Sequence, residues 1–219
     1  MWRSVRDAVS ILVGGNAGEI AFSLLGTALG GSSPVNTRQF LLVNLLTDAF
    51  PALAVAVTPP AAEPEDPTGG TSEDELTGHP QESLLRAGPQ AGFSGELRRA
   101  VLVRAATTGT GASMAWLVGR LTGPRSRAGT MGLAALVGTQ LAQTALVGRR
   151  SPLVLATALV SAAVLVAVVQ LPVVSQVFGC VPLDPLAWAV VLAASVGATA
   201  GAVVLPRLAE RLRNLPTPG

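Results

Sequence analysis

Two carboxylates fall in the middle of apolar runs: Glu19 within residues 8–29 and Asp48 within residues 39–57. An ionised side chain at the centre of a membrane helix costs about 2.5–3.5 kcal/mol on insertion scales, so such residues usually mark an ion path or a site. Each has polar company. Asn16 lies one helical turn before Glu19, and Asn44 lies four residues before Asp48, which puts Asn44 and Asp48 on one face; Thr47 joins Asn44 by the i, i+3 spacing. Pro51 follows Asp48 by three residues, and a proline frees a backbone carbonyl one turn back, near Thr47. The set offers two carboxylates, two amides and a hydroxyl, all oxygen donors without soft sulfur. That chemistry suits a hard cation such as Ca²⁺, Mg²⁺ or Mn²⁺. The competing reading is that these groups hydrogen-bond helices together, although two facing acids repel unless protonated or neutralised.

The elements that must position these groups are membrane helices. A bilayer core about 30 Å thick is crossed by roughly 20 residues rising about 1.5 Å each. Six segments meet that length: residues 8–29, 39–57, 97–119, 128–148, 152–171 and 185–205. The expected fold class is an all-α membrane protein, a six-transmembrane-helix bundle. Small residues such as Gly109, Gly111, Ala112 and Ser113, or Gly197, Ala198, Ala200 and Gly201, let its helices approach closely. Breakers at 30–34, 122–124 and 182–185 keep most connections short. The first of them folds residues 8–57 into an antiparallel hairpin, so the two polar clusters share a depth and can face each other. Residues 58–96 differ: they are rich in proline and glycine, hold eight of the thirteen acidic residues, and read as a flexible aqueous loop with too little apolar surface to order. Residues 97–219 form the remaining four-helix region and a short tail. With the N-terminus inside, eleven arginines lie on the cytoplasmic side and four outside, which places both termini in the cytoplasm; Arg120, Arg125 and Arg127 dissent locally.

Composition excludes much else. Only 13% of the 219 residues are charged and 49% are apolar, whereas a soluble domain carries about a quarter charged residues. No lysine occurs among the fifteen basic residues, which removes a Walker A loop, a protein-kinase strand lysine and Schiff-base chemistry. One cysteine, Cys180, and one histidine, His79, cannot build a zinc site or a disulfide. The net charge of +2 and the lack of a basic patch with interleaved aromatics leave no nucleic-acid partner. Arg104, a turn inside the third span, reads as a side chain that snorkels to cytoplasmic headgroups. Trp116 and Trp188 read as interface anchors, and Cys180 as a small filler. The first apolar run is too long and too polar at Asn16 and Glu19 for a cleaved signal peptide.

The strings Ser4-Val5-Arg6-Asp7-Ala8-Val9 and Gly15-Asn16-Ala17-Gly18-Glu19-Ile20 resemble the fifth transmembrane helix of cation-pumping P-type ATPases. The string from Gln39 through Asn44, Thr47, Asp48 and Pro51 to Ala54 is similar to their sixth, above all in calcium-pump-like members, and Thr130-Met131 through Gln140 resembles their eighth. The resemblance implies the C-terminal membrane half of such a pump, helices five to ten, with residues 1–7 a remnant of the cytoplasmic stalk. It implies a cation site from Asn16, Glu19, Asn44, Thr47 and Asp48, with Gln140 a neutral substitute where calcium-type members carry an acid. That leaves one anionic charge fewer and argues against two-ion calcium stoichiometry. The cysteine-proline motif of heavy-metal pumps is absent, which disfavours copper and zinc.

The D-K-T-G-T phosphorylation loop, the T-G-E loop and the nucleotide-binding domain of the family are absent from this sequence, so it is not expected to hydrolyse ATP alone. Mg-ATP enters only through those missing domains or a partner chain that carries the rest of the pump. The other expected partner is membrane lipid, in a multi-pass protein of the bacterial plasma membrane. The alternative is a stand-alone multi-spanning protein without ATP hydrolysis: a passive cation path, a structural subunit or an inactive pump relic.

Overall fold

The computed structural model describes residues 2–49, 95–149 and 151–213. It is all-helical there: α1 (Trp2–Gly30), α2 (Thr37–Asn44), a π-helical turn (Leu45–Ala49), α3 (Gly95–Thr122), α4 (Arg125–Val147), α5 (Pro152–Gln170), α6 (Pro172–Phe178) and α7 (Pro185–Arg213), with no strand among the described residues. Among the described residues, four stretches are long and apolar enough to cross a membrane: Ile11–Gly30, Arg125–Val147, Pro152–Gln170 and Pro185–Val204. The helix α3 is 28 residues long, which exceeds a bilayer core, but Arg98, Arg99, Arg104 and Arg120 dilute its apolar character. The expected second span is described only as far as Ala49, and residues 50–94, which hold the rest of it and nearly all of the expected acidic loop, lie outside the described residues.

The central helix is α4. It is buried along almost its whole course from Ala128 to Thr144, on several faces rather than along one stripe. It packs against α3, α5 and α7, while α1 lies along α3. Close packing comes from missing side chains. A Cβ on Gly18 of α1 would sit 2.6 Å from the Thr108 Cβ on α3, and one on Gly132 of α4 would sit 2.6 Å from the Phe22 ring. Both helix pairs reach contact distance because those positions are glycine. Trp116 is 4% exposed and belongs to this core with the Arg120 guanidinium 5.6 Å above its ring, so it is not the interface anchor its position suggests.

One end of the bundle is tied by side chains to carbonyls. Asn36 caps α2 in a reciprocal capping box: its Oδ1 accepts from Gln39 N–H and Gln39 Oε1 accepts from Asn36 N–H, both at 2.9 Å. The same loop holds α6, a short helix that the sequence reading did not contain. Asn36 Nδ2 donates to the Phe178 carbonyl at 3.0 Å and Arg38 to the Val177 carbonyl at 2.8 Å. Gly179, at φ +69°, turns the chain out of α6 in a left-handed conformation that other residues resist. Nearby, Asp184 Oδ1 accepts from Ala187 N–H at 2.7 Å at the start of α7, and its Oδ2 pairs with Arg127 of α4 at 2.8 Å.

Candidate cation site

Glu19 sits on α1 at a level where the neighbouring helices are close, and only 4% of it is exposed. Its carboxylate is met by an amide: Gln140 Nε2 of α4 donates to Glu19 Oε1 at 2.9 Å, a bond across 121 residues. Room for that amide is made one turn earlier, where a Cβ on Gly15 would lie 3.3 Å from Gln140 Oε1. Opposite, the chain leaves α-helical geometry. The five residues Leu45–Ala49 form a π-helical turn, a widened coil that often occurs at functional sites. It carries Thr47, which is buried, and Asp48, which is half-buried. Thr47 Oγ1 lies 3.0 Å from the Val43 carbonyl and 3.2 Å from Asp48 Oδ1, and its single proton serves one acceptor at a time.

The widened turn is held from outside. Ser161 Oγ of α5, itself fully buried, donates to the Leu46 carbonyl at 2.9 Å. The backbone oxygen engaged here is that of Leu46, whereas the sequence reading expected a carbonyl near Thr47.

Between α1, the π-turn, α3 and α4 lies a cavity of about 10 Å³ lined by Gly15, Thr47, Asp48, Arg104, Thr108 and Gln140 among others. That is on the order of one water-sized probe sphere. Glu19 does not itself line the cavity and is joined to it through the bond from Gln140. The structure thus brings together Glu19, Thr47, Asp48 and Gln140. It does not bring Asn16 or Asn44 to them: both side chains are exposed on the described chain. Among the described residues no group of three or more His, Cys, Asp or Glu side chains gathers that could hold a metal ion, so any cation here would rely on two acids with neutral oxygens. Sequence reasoning missed Ser161, the Gln143 Nε2 to Thr108 Oγ1 bond at 3.2 Å that closes the α3–α4 wall, and the position of Arg104 in the cavity lining. The available signal for the second was the polar repeat Thr139, Gln140, Gln143 and Thr144 in an otherwise apolar helix.

The family model described as "Cation transporting ATPase, C-terminus" matches residues 77–205. The chain is 53% identical over 211 residues to the probable cation-transporting ATPase I of Mycobacterium leprae, an alignment covering 94% of this chain and 13% of that protein. It is 54% identical over 212 residues to the probable cation-transporting ATPase I of Mycobacterium tuberculosis strain CDC 1551, again with 94% and 13% covered. Over 85 residues it is 34% identical to the calcium-transporting ATPase 1 of Bacillus cereus, covering 39% of this chain and 9% of that protein. The chain spans about 13% of the length of the mycobacterial relatives it matches.

Proposed function

We propose that this chain, which belongs to the cation-transporting P-type ATPases and carries their C-terminal membrane region, supplies intramembrane ligands for a translocated hard cation. The ligands are Glu19 and Gln140 on one side and Thr47 and Asp48 on the other, with Asn16 and Asn44 joining from faces that are exposed in the described chain. The favoured cargo is a Ca²⁺-like divalent ion. Its support is the all-oxygen donor set and the likeness to the calcium-transporting ATPase 1 of Bacillus cereus. The observation that carries the reading is the Glu19–Gln140 bond at 2.9 Å beside the cavity that Asp48 and Thr47 line. A cation entering this space exchanges its water for carboxylate, amide and hydroxyl oxygens.

The chain itself lacks the phosphorylation, nucleotide-binding and actuator parts, so transport driven by Mg-ATP requires them elsewhere in a longer protein or on a partner chain. The setting that fits is a multi-pass protein of a bacterial plasma membrane, with six spans and both termini cytoplasmic. The test is ⁴⁵Ca²⁺ binding to the native protein in lipid nanodiscs. Glu19→Gln and Asp48→Asn are each expected to weaken binding by about tenfold or more, which is about 1.4 kcal/mol. Binding that ignores both substitutions contradicts the proposal.

A further inference from the structure

The end of the bundle where α3 turns into α4 holds more positive charge than the described chain balances. Arg38, Arg120, Arg125 and Arg127 gather there, and among the described residues Asp184 is the only acid at that end. Asp184 is already committed to Arg127, whose guanidinium lies 2.8 Å from its Oδ2. Arg38 donates to the Val177 carbonyl and Arg120 lies 5.6 Å from the centre of the Trp116 ring, so both meet uncharged partners. Arg125, the first residue of α4, is exposed. Four arginines against one acid leave a formal excess of three positive charges. Arg120, Arg125 and Arg127 are also the group that opposes the arginine bias from which the orientation is read.

The depth of these arginines identifies what can supply the missing negative charge. The four membrane-length stretches each have one end here, at Gly30, Arg125, Gln170 and Pro185. Side chains within a few residues of those positions stand where hydrocarbon gives way to headgroups. Leu121, between Arg120 and Arg125 in the chain, is 85% exposed. Leu117 and Val118, four and three residues earlier and so on the same helix face, are exposed as well and lie a turn deeper. Guanidiniums at the boundary with bare apolar side chains beneath them match the layout of a phospholipid, a phosphate above acyl chains. A guanidinium takes phosphate oxygens two at a time, and an anionic headgroup offsets its charge where a zwitterionic one brings a cation of its own. We infer that the α3–α4 turn is a binding site for an anionic phospholipid, with Arg120 and Arg125 on the phosphate and Leu117, Val118 and Leu121 along an acyl chain. The site is separate from the cation cavity and requires only that the helices cross a bilayer.

The test is photolabelling of the native protein in phosphatidylcholine nanodiscs that carry a trace of phosphatidylglycerol with a photoreactive headgroup, read as label on residues 117–127. Replacing half of the phosphatidylcholine with unlabelled phosphatidylglycerol should lower that label several-fold, whereas soluble glycerol phosphate, which has no acyl chains, should not lower it. The Arg120→Gln/Arg125→Gln variant should lose about tenfold or more of the label. Leu121→Glu/Arg125→Gln changes only exposed positions and should lose as much, which preserves the test if the loss of Arg120 from the Trp116 ring prevents folding. Arg98→Gln/Arg99→Gln, at the other end of α3, should leave the label unchanged. Label that survives both α3–α4 variants, or that does not respond to unlabelled phosphatidylglycerol, overturns the inference. Label displaced equally well by glycerol phosphate makes this a site for free phosphate and overturns its assignment to a lipid.

Discussion

Ser161 contributes no oxygen to the cavity, yet its hydroxyl joins α5 to the turn that carries Thr47 and Asp48, through the Leu46 carbonyl at 2.9 Å. Removing that donor leaves a buried carbonyl short of a partner, and interhelical bonds of this kind in membranes are worth about 0.6–1.7 kcal/mol. Ser161→Ala is expected to cost about 1 kcal/mol in a reversible unfolding measurement and to weaken ⁴⁵Ca²⁺ binding several-fold by loosening the π-turn. A variant that loses stability but binds Ca²⁺ as the wild type does would show that the bond only glues helices. At this scale the sequence made the acids conspicuous, because Glu19 and Asp48 interrupt apolar runs. The two asparagines were less legible. Asn16 and Glu19 are three residues apart and so about 60° apart around a helix of 3.6 residues per turn. That is enough for one side chain to enter the α1–α4 interface while the other stays outside it. For Asn44, the regular spacing to Asp48 fails because the π-turn begins immediately after it.

At the scale of elements, the tie between α4 and the start of α7 depends on Asp184. The backbone N–H of Ala187 and then the Arg127 guanidinium hold its carboxyl below the usual carboxylate range. A depressed folded-state value means that its stabilisation is complete above the unfolded-state value, about 3.9. It is lost as pH falls through the lower folded value. Acidification from neutral pH to 5 should therefore leave this tie intact. Asp184→Asn keeps an oxygen for Ala187 N–H but breaks the ion pair, so its melting temperature should trail the wild type at pH 6, and the gap should narrow as pH falls below about 3.9. A gap that does not change with pH would contradict the assignment. Helix locations were legible from apolar length: α1, α3, α4, α5 and α7 each cover an expected segment. The seven-residue α6 was not, since so short a helix shows no period. The π-turn was hidden too, because the serine that meets its Leu46 carbonyl lies 115 residues away.

For the whole molecule, the governing features are a central helix buried on every side and a small polar cavity beside it. Apolar composition predicts the first, and α4 fulfils it from Ala128 to Thr144. Sequence alone located the acids in their apolar runs but not the neighbours that surround them, because helix rotation is set by packing at glycines such as Gly15, Gly18 and Gly132. The likeness to cation-transporting ATPases reaches across most of the chain, while the chain reaches across only 13% of those relatives. The content of the cavity can be tested directly. Crystals of the native protein grown with Mn²⁺ should give an anomalous-scattering peak in contact with oxygens of Glu19, Thr47 or Asp48, and the Glu19→Gln/Asp48→Asn double variant should lack it. A well-ordered bundle with no peak there, or with a peak that survives the double substitution, would contradict the cation site.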